Sequence, residues 1–162
     1  MQSSKYIRRD KELSDMEVTY TDPVFGEMKY KHRWYKIEKC ALFHKEWDIT
    51  VAAKAYSGKP ITDAQRESYA RYKANEKEIA QTVAEVITDY VNTNCNELAE
   101  TWMGARMVSS VSDLADIVTP KTLLFTQTGD ALLLLDCAWD IEHGLGVQIF
   151  PEYKIGSQDC FL

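Results

Sequence analysis

The sequence lacks most of the short motifs that mark common functional classes. Neither GxGxxG nor GxxxxGK(S/T) occurs, so there is no glycine-rich loop whose backbone N–H groups would cradle a nucleotide's phosphates. There is no GxSxG elbow and no HExxH pair, and histidine is confined to His32, His44 and His143. The nucleophile and zinc frameworks built on those motifs are therefore unsupported. The four cysteines, Cys40, Cys95, Cys137 and Cys160, show no CxxC spacing, which removes the zinc ribbon and the thioredoxin-type redox pair. Long apolar runs are missing too. The longest, Ala131 to Leu135, falls far short of the roughly 20 residues a membrane span requires. With no apolar core region at the N-terminus, the expectation is a cytoplasmic protein with reduced thiols and no membrane association. Positive charge is also in deficit, with 19 Lys and Arg against 25 Asp and Glu and a net charge of −6. Nucleic-acid binding draws on clustered cations that release counterions, so that class is set aside. The basic run KYIRRDK reads as part of a solvated N-terminal arm over residues 1–15.

What is present is ordinary globular material. A chain of 162 residues that is 45% hydrophobic and 27% charged suits one domain, read as residues 16–162, because chains of this size bury about 70% of their unfolded surface. MEVTY, EMKYKHRWYKIEKCALF and EWDITVAAKAY alternate as strands do, with turns at Asp22-Pro23, Phe25-Gly26 and Phe43 to Glu46. TDAQRESYARYKANEKEIAQTVAEVITDYV then opens with Thr62 and Gln65 in capping-box spacing. Tyr69, Tyr72, Ile79, Val83, Val86, Ile87 and Tyr90 form its apolar stripe, and Asn75 marks a candidate kink or break. Glu76, Glu78, Glu85 and Asp89 read as its solvated face rather than as paired catalytic acids. ELAETWMGARM is expected as a short helix, and SDLADIV as another capped by Ser112 or Asp113. KTLLF, ALLLLDCAW, LGVQIF and YKIGSQDCFL return to strand patterning. The order strands, helices, strands predicts an α+β fold, with an antiparallel sheet from the N- and C-terminal strands and a long central helix packed on one face.

One stretch gathers potential chemistry. Within ALLLLDCAWDIEHGLGVQIF, the residues Asp136, Asp140, Glu142 and His143 are competent ligands for zinc, manganese or iron. On one continuous strand, however, Asp136 and Asp140 would lie about 14 Å apart at about 3.4 Å per residue. The same residues also suit a turn, in which Asp140 accepts backbone N–H groups and Gly144 supplies the positive φ that closes the loop. The turn is the favoured reading. A Cys137–His143 dyad is the weaker catalytic option, because Cys137 sits in an apolar strand where cysteine acts as a small hydrophobe. Tyr30, Trp34 and Tyr35 read as core before interface.

DPVFGEMKY, ITDAQRESYARYKANEKEI, TPKTLLF, LLLLDCAWDIEHGLGVQIF and SQDCFL together resemble a family of small bacterial proteins classed as a domain of unknown function. The resemblance runs over residues 22–162 apart from roughly 93–111, which it implies are an insertion, and rests on a DPxFG opening, a T-x-A-Q helix start and a W-D-x-E-H-G-L-G-V hairpin. The signature falls on Asp22, Pro23, Phe25, Gly26, Trp139, Asp140, Glu142, His143, Gly144 and Gly146. It implies no catalytic residue and no cofactor; it does imply similarity to proteins near polymorphic toxin loci, where small acidic α+β proteins act as immunity factors. Two functions follow as expectations. One is a non-enzymatic, immunity-like module with a protein partner; the other is a metal-dependent hydrolase that uses Asp136, Asp140, Glu142 and His143.

Overall fold

A computed structural model describes residues 18–162, so the expected N-terminal arm and the first residues of MEVTY lie outside the described residues. Among the described residues, eight strands form one sheet whose spatial order follows the chain. They are β1 (Val18–Asp22), β2 (Gly26–Tyr30), β3 (Trp34–Leu42), β4 (Lys45–Ala53), β5 (Val118–Phe125), β6 (Ala131–Cys137), β7 (Leu145–Phe150) and β8 (Lys154–Ser157). Six of the seven pairings are antiparallel. β4 and β5 run parallel, with Val51 opposite Leu123, because a helical crossover rather than a hairpin joins them.

That crossover corrects the expectation of a long central helix. The structure has α1 (Asp63–Ala74) and α2 (Glu76–Thr93), separated at Asn75, whose φ of −125° and ψ of 24° leave the helical region. The Asn75 side chain donates to the Arg71 carbonyl at 2.8 Å and its backbone N–H to the Tyr72 carbonyl at 3.1 Å. A short amide competing for backbone groups in this way ends one helix and lets the next begin. At the start of α1 the capping box forms as its spacing predicts, with Gln65 N–H donating to Thr62 Oγ1 and Thr62 N–H to Gln65 Oε1. Gln65, fully buried, also donates to the carbonyls of Lys54 and Phe125, tying the helix to the seam between β4 and β5. The rest of the crossover is less helical than ELAETWMGARM suggested. Only single turns form, α3 (Cys95–Leu98) and α4 (Val111–Leu114), and α4 is preceded by Ser110, whose N–H donates to Asp113 Oδ2.

The strands also depart from their expected bounds where backbone geometry overrides pattern. EMKYKHRWYKIEKCALF is two strands, divided at Lys31–Arg33 where His32 takes a φ of +67°. Pro120 lies inside β5, at a register shift, where its missing N–H is tolerated. YKIGSQDCFL is a four-residue strand followed by a 3₁₀ turn at Gln158–Cys160.

The unbroken leucines of β6 reflect burial on both faces. Leu133 and Leu135 join the main core under the helices, with Val83, Ile87 and Phe125, while Leu132 and Leu134 pack on the other face with Ala52, Leu124, Tyr35 and Phe161. A fully buried leucine contributes about 1.5–3 kcal/mol, so this strand anchors the loop that follows it.

Candidate functional site

The loop from Ala138 to Gly144 connects β6 and β7 and carries most of the acidic and imidazole groups singled out in the sequence. Asp140 organises it. Its Oδ1 accepts the His143 backbone N–H at 3.1 Å and lies 3.1 Å from His143 Nδ1. Its carbonyl accepts from Gly144 N–H at 2.9 Å and from the Cys137 thiol at 3.6 Å. Gly144 takes a φ of +72°, and a β-carbon there would fall 2.7 Å from the Leu135 carbonyl oxygen. Only glycine satisfies both demands.

Of the four candidate ligands, this loop brings Asp140 and His143 into contact. Glu142 is exposed in the same loop. Asp136 stands apart near the end of β6, exposed, with its Oδ2 3.8 Å from Lys121 Nζ. The group nearest the far side of the imidazole is Asp159, whose Oδ2 lies 3.7 Å from His143 Nε2. Sequence reasoning missed Asp159 because YKIGSQDCFL read as a strand; the Ser-Gln-Asp run was the one available sign of a turn there. Among the described residues, no group of three or more His, Cys, Asp or Glu side chains is placed to hold a metal ion. The hydrogen bond from Asp140, then the charges of Asp140 and Asp159, raise the His143 pKa above its usual value. Burial pushes the Cys137 thiol up to about 11. It is therefore protonated at neutral pH and directed at a carbonyl, while both nitrogens of the His143 ring face carboxylates.

A cavity of about 540 Å³ opens beside this loop, between Trp139, Asp140, Ile141 and Glu142 on one side and Tyr90 of α2, Leu98 of α3 and Thr101 on the other. Thr101 Oγ1 donates to the Trp139 carbonyl at 3.1 Å, and the Trp102 and Trp139 rings lie 5.7 Å apart. These contacts fix the two walls together. Ile141 is 88% exposed at the lip. Among the described residues, Asp140 and Glu142 are the only charged ones lining the cavity. Along the chain, residues 78–162 hold three Lys or Arg (Arg106, Lys121 and Lys154) against thirteen Asp or Glu, and 122–153 hold no Lys or Arg.

The other motif positions have structural roles. Asp22 has a fully buried side chain whose Oδ2 accepts the N–H groups of Val24 and Phe25 and whose Oδ1 meets Arg66 Nε and Nη2, both at 2.8 Å. Phe25 stacks on Tyr69 at 4.4 Å. Trp34 is buried, as expected, and donates to the Lys59 carbonyl, while Tyr30 and Tyr35 are half-buried. The exposed helix acids include Glu76, paired with Lys73.

A second cavity of about 690 Å³ lies between the β3–β4 hairpin and α2. The turn at its edge is Phe43-His44, with φ of +56° and +60°. The turn falls where the sequence places one, within Phe43 to Glu46, but its left-handed geometry is unexpected, since hairpin turns of this kind are usually built from Asn and Gly.

Comparison with curated proteins and with solved structures gives no match. A family model does match: that of a domain of unknown function, DUF6985, over residues 24–162. The matched stretch takes in the Phe25-Gly26 turn, the capping box and the whole Trp139–Gly144 loop, and by that match the chain belongs to the DUF6985 family.

Proposed function

We propose that this protein is a non-enzymatic, immunity-like binding module that engages a basic protein partner through the acidic surface around the Trp139–Gly144 loop. The observation that carries this reading is the cavity beside the loop, whose lining among the described residues has two carboxylates and no cation, with a bare isoleucine at its lip. An apolar tip within a field of one sign suits association, because the field steers an oppositely charged partner and the apolar group supplies contact area once it arrives. The chemistry of the loop supports binding over turnover. Asp140 shapes the backbone and the adjacent thiol is protonated at neutral pH, so neither is poised as a nucleophile.

The test is a photo-crosslinking residue placed at Ile141 in the full-length protein, expressed in its native cell, with a second variant carrying it at Ile37, which is 63% exposed on β3. A discrete adduct with a basic protein at position 141 and none at 37 is the expected result. Equal adducts at both positions, or none at 141, would remove the basis for the reading. In parallel, zinc or manganese should leave the melting temperature unchanged. Stoichiometric metal with a raised melting temperature would instead favour a hydrolase using Asp136, Asp140, Glu142 and His143.

A further inference from the structure

We infer that the cavity beside the Trp139–Gly144 loop is a receptor for an arginine side chain of the partner protein, flanked in the partner by an apolar residue that meets Ile141. The inference rests on the binding-module reading and deepens it by naming the chemistry the site takes.

Three features select that occupant. The first is charge. Asp140 directs Oδ1 at His143, and among the described residues neither its Oδ2 nor the Glu142 carboxylate takes a hydrogen bond or ion pair. Two carboxylates with acceptor capacity therefore border one hollow. The second is the wall material. Tyr90, half-buried, lines the hollow with Leu98, backed by Trp139, which is buried and lies 6.2 Å from the Tyr90 ring centroid. Such a surface suits a planar, weakly hydrated guanidinium with an apolar stem better than a compact, strongly hydrated ammonium, because the plane stacks on rings and its fork of donors reaches two acceptors at once. The third is size. At about 540 Å³ the cavity falls within the range that admits a ligand much larger than one functional group. An arginine with an apolar neighbour fills it as an isolated cation does not, and the exposed Ile141 stands where that neighbour would rest.

The experiment uses full-length protein and three tripeptide probes, acetyl-Leu-Arg-Leu-amide and its lysine and citrulline counterparts. Binding is read from the indole N–H resonances of the four tryptophans. Trp102 and Trp139 report on the site; Trp34, packed at β2–β3, and Trp47 on β4 act as internal references. The arginine peptide should shift Trp139 saturably at millimolar concentration. The lysine peptide should bind about fivefold more weakly, and the citrulline peptide, which keeps the shape without the charge, should not bind measurably. Glu142→Gln should weaken the arginine peptide roughly fivefold while Trp34 and Trp47 stay in place, which shows the fold intact. Citrulline binding equal to arginine binding would overturn the proposal, as would shifts confined to Trp34 and Trp47, or none at all. If the Ile141 adduct survives but the arginine peptide leaves Trp139 unmoved, the binding module stands and its arginine receptor falls; if the Ile141 adduct is also absent, both fall. Self-association that rises with concentration and is abolished by Glu142→Gln would assign the cavity to a second copy of the chain and overturn the inference.

Discussion

Asp22 to Gly26 and Asp140 to Gly144 are two turns built on one frame, an aspartate followed four residues later by a glycine with positive φ, +82° in one and +72° in the other. In each, the aspartate accepts the backbone N–H three residues on, which is the local capture that suits Asp to turns. They differ in what closes over them. At the first, Arg66 grips the second carboxylate oxygen and Phe25 enters the core. At the second, His143 folds back on the same oxygen that holds the backbone, and Ile141 and Glu142 are left in solvent. A motif that keeps Asp and Gly together therefore does not by itself mark a site. The distinction lies in whether the fold provides a partner for the rest of the carboxylate.

The largest expected effect lies at the closed turn. Asp22→Ala frees two backbone donors and leaves Arg66 with the exposed Asp63 in place of its buried partner, a loss of about 3–5 kcal/mol; urea denaturation should show it, and a loss under about 1 kcal/mol, the lower bound for one unsatisfied buried group, would mean that Arg66 does not seal the turn. Burial alone raises the Asp22 carboxyl, but the N–H groups of Phe25 and Val24 and the Arg66 guanidinium outweigh it, so the folded pKa lies below 3.8. Its contribution to stability is then complete above about pH 4 and is lost as the pH falls through the depressed folded value. Asp22→Asn should flatten that acid limb of the stability curve.

A smaller effect separates the two glycines. At Gly26 a β-carbon would meet nothing within 4 Å, whereas at Gly144 it would strike Gln158 and the Leu135 carbonyl. Gly26→Ala should cost roughly 1–2 kcal/mol, from backbone strain alone. Gly144→Ala adds overpacking against a backbone atom that cannot yield, for roughly 2–4 kcal/mol in all. Equal losses in thermal or urea unfolding would show that the 144 loop yields where its packing says it should not.

How much of this was legible follows from the range of each interaction. The capping box at Thr62 and Gln65, the turn role of Asp140 and Gly144, and the apolar runs of β4, β6 and β7 depend on neighbours a few residues away, and the sequence shows them directly. The break at Asn75 was visible only as a candidate, because strong helix formers flank it and one side-chain bond to Arg71 decides the matter. The parallel seam of β4 and β5 depends on where the crossover lands. Arg66 lies 44 residues from Asp22, and Asp159 reaches His143 from beyond two further strands, β7 and β8. The turn at Phe43-His44 was legible as a turn, but not its left-handed geometry, because neither residue favours a positive φ. The acidic cavity depends on Tyr90 and Leu98 arriving beside a loop some 40 residues further along the chain, so its lining could not be read in advance.

The smallest expected effect, and the sharpest test of the comparison, is the titration of His143. Its folded pKa lies above the ordinary 6.5, the opposite displacement to that of Asp22, so the ion pair's contribution is complete below pH 6.5 and fades as the pH rises through the folded value. The ring is exposed and water screens it, so the change belongs in a proton-resolved titration of the imidazole rather than in unfolding data. The hydrogen bond at 3.1 Å outranks the more exposed contact at 3.7 Å, and Asp140→Asn should therefore lower the midpoint more than Asp159→Asn does. If Asp159→Asn has the larger effect, the imidazole is oriented by the C-terminal segment rather than by its own turn. The open turn would then owe its shape to a distant partner, as the closed one owes its seal to Arg66.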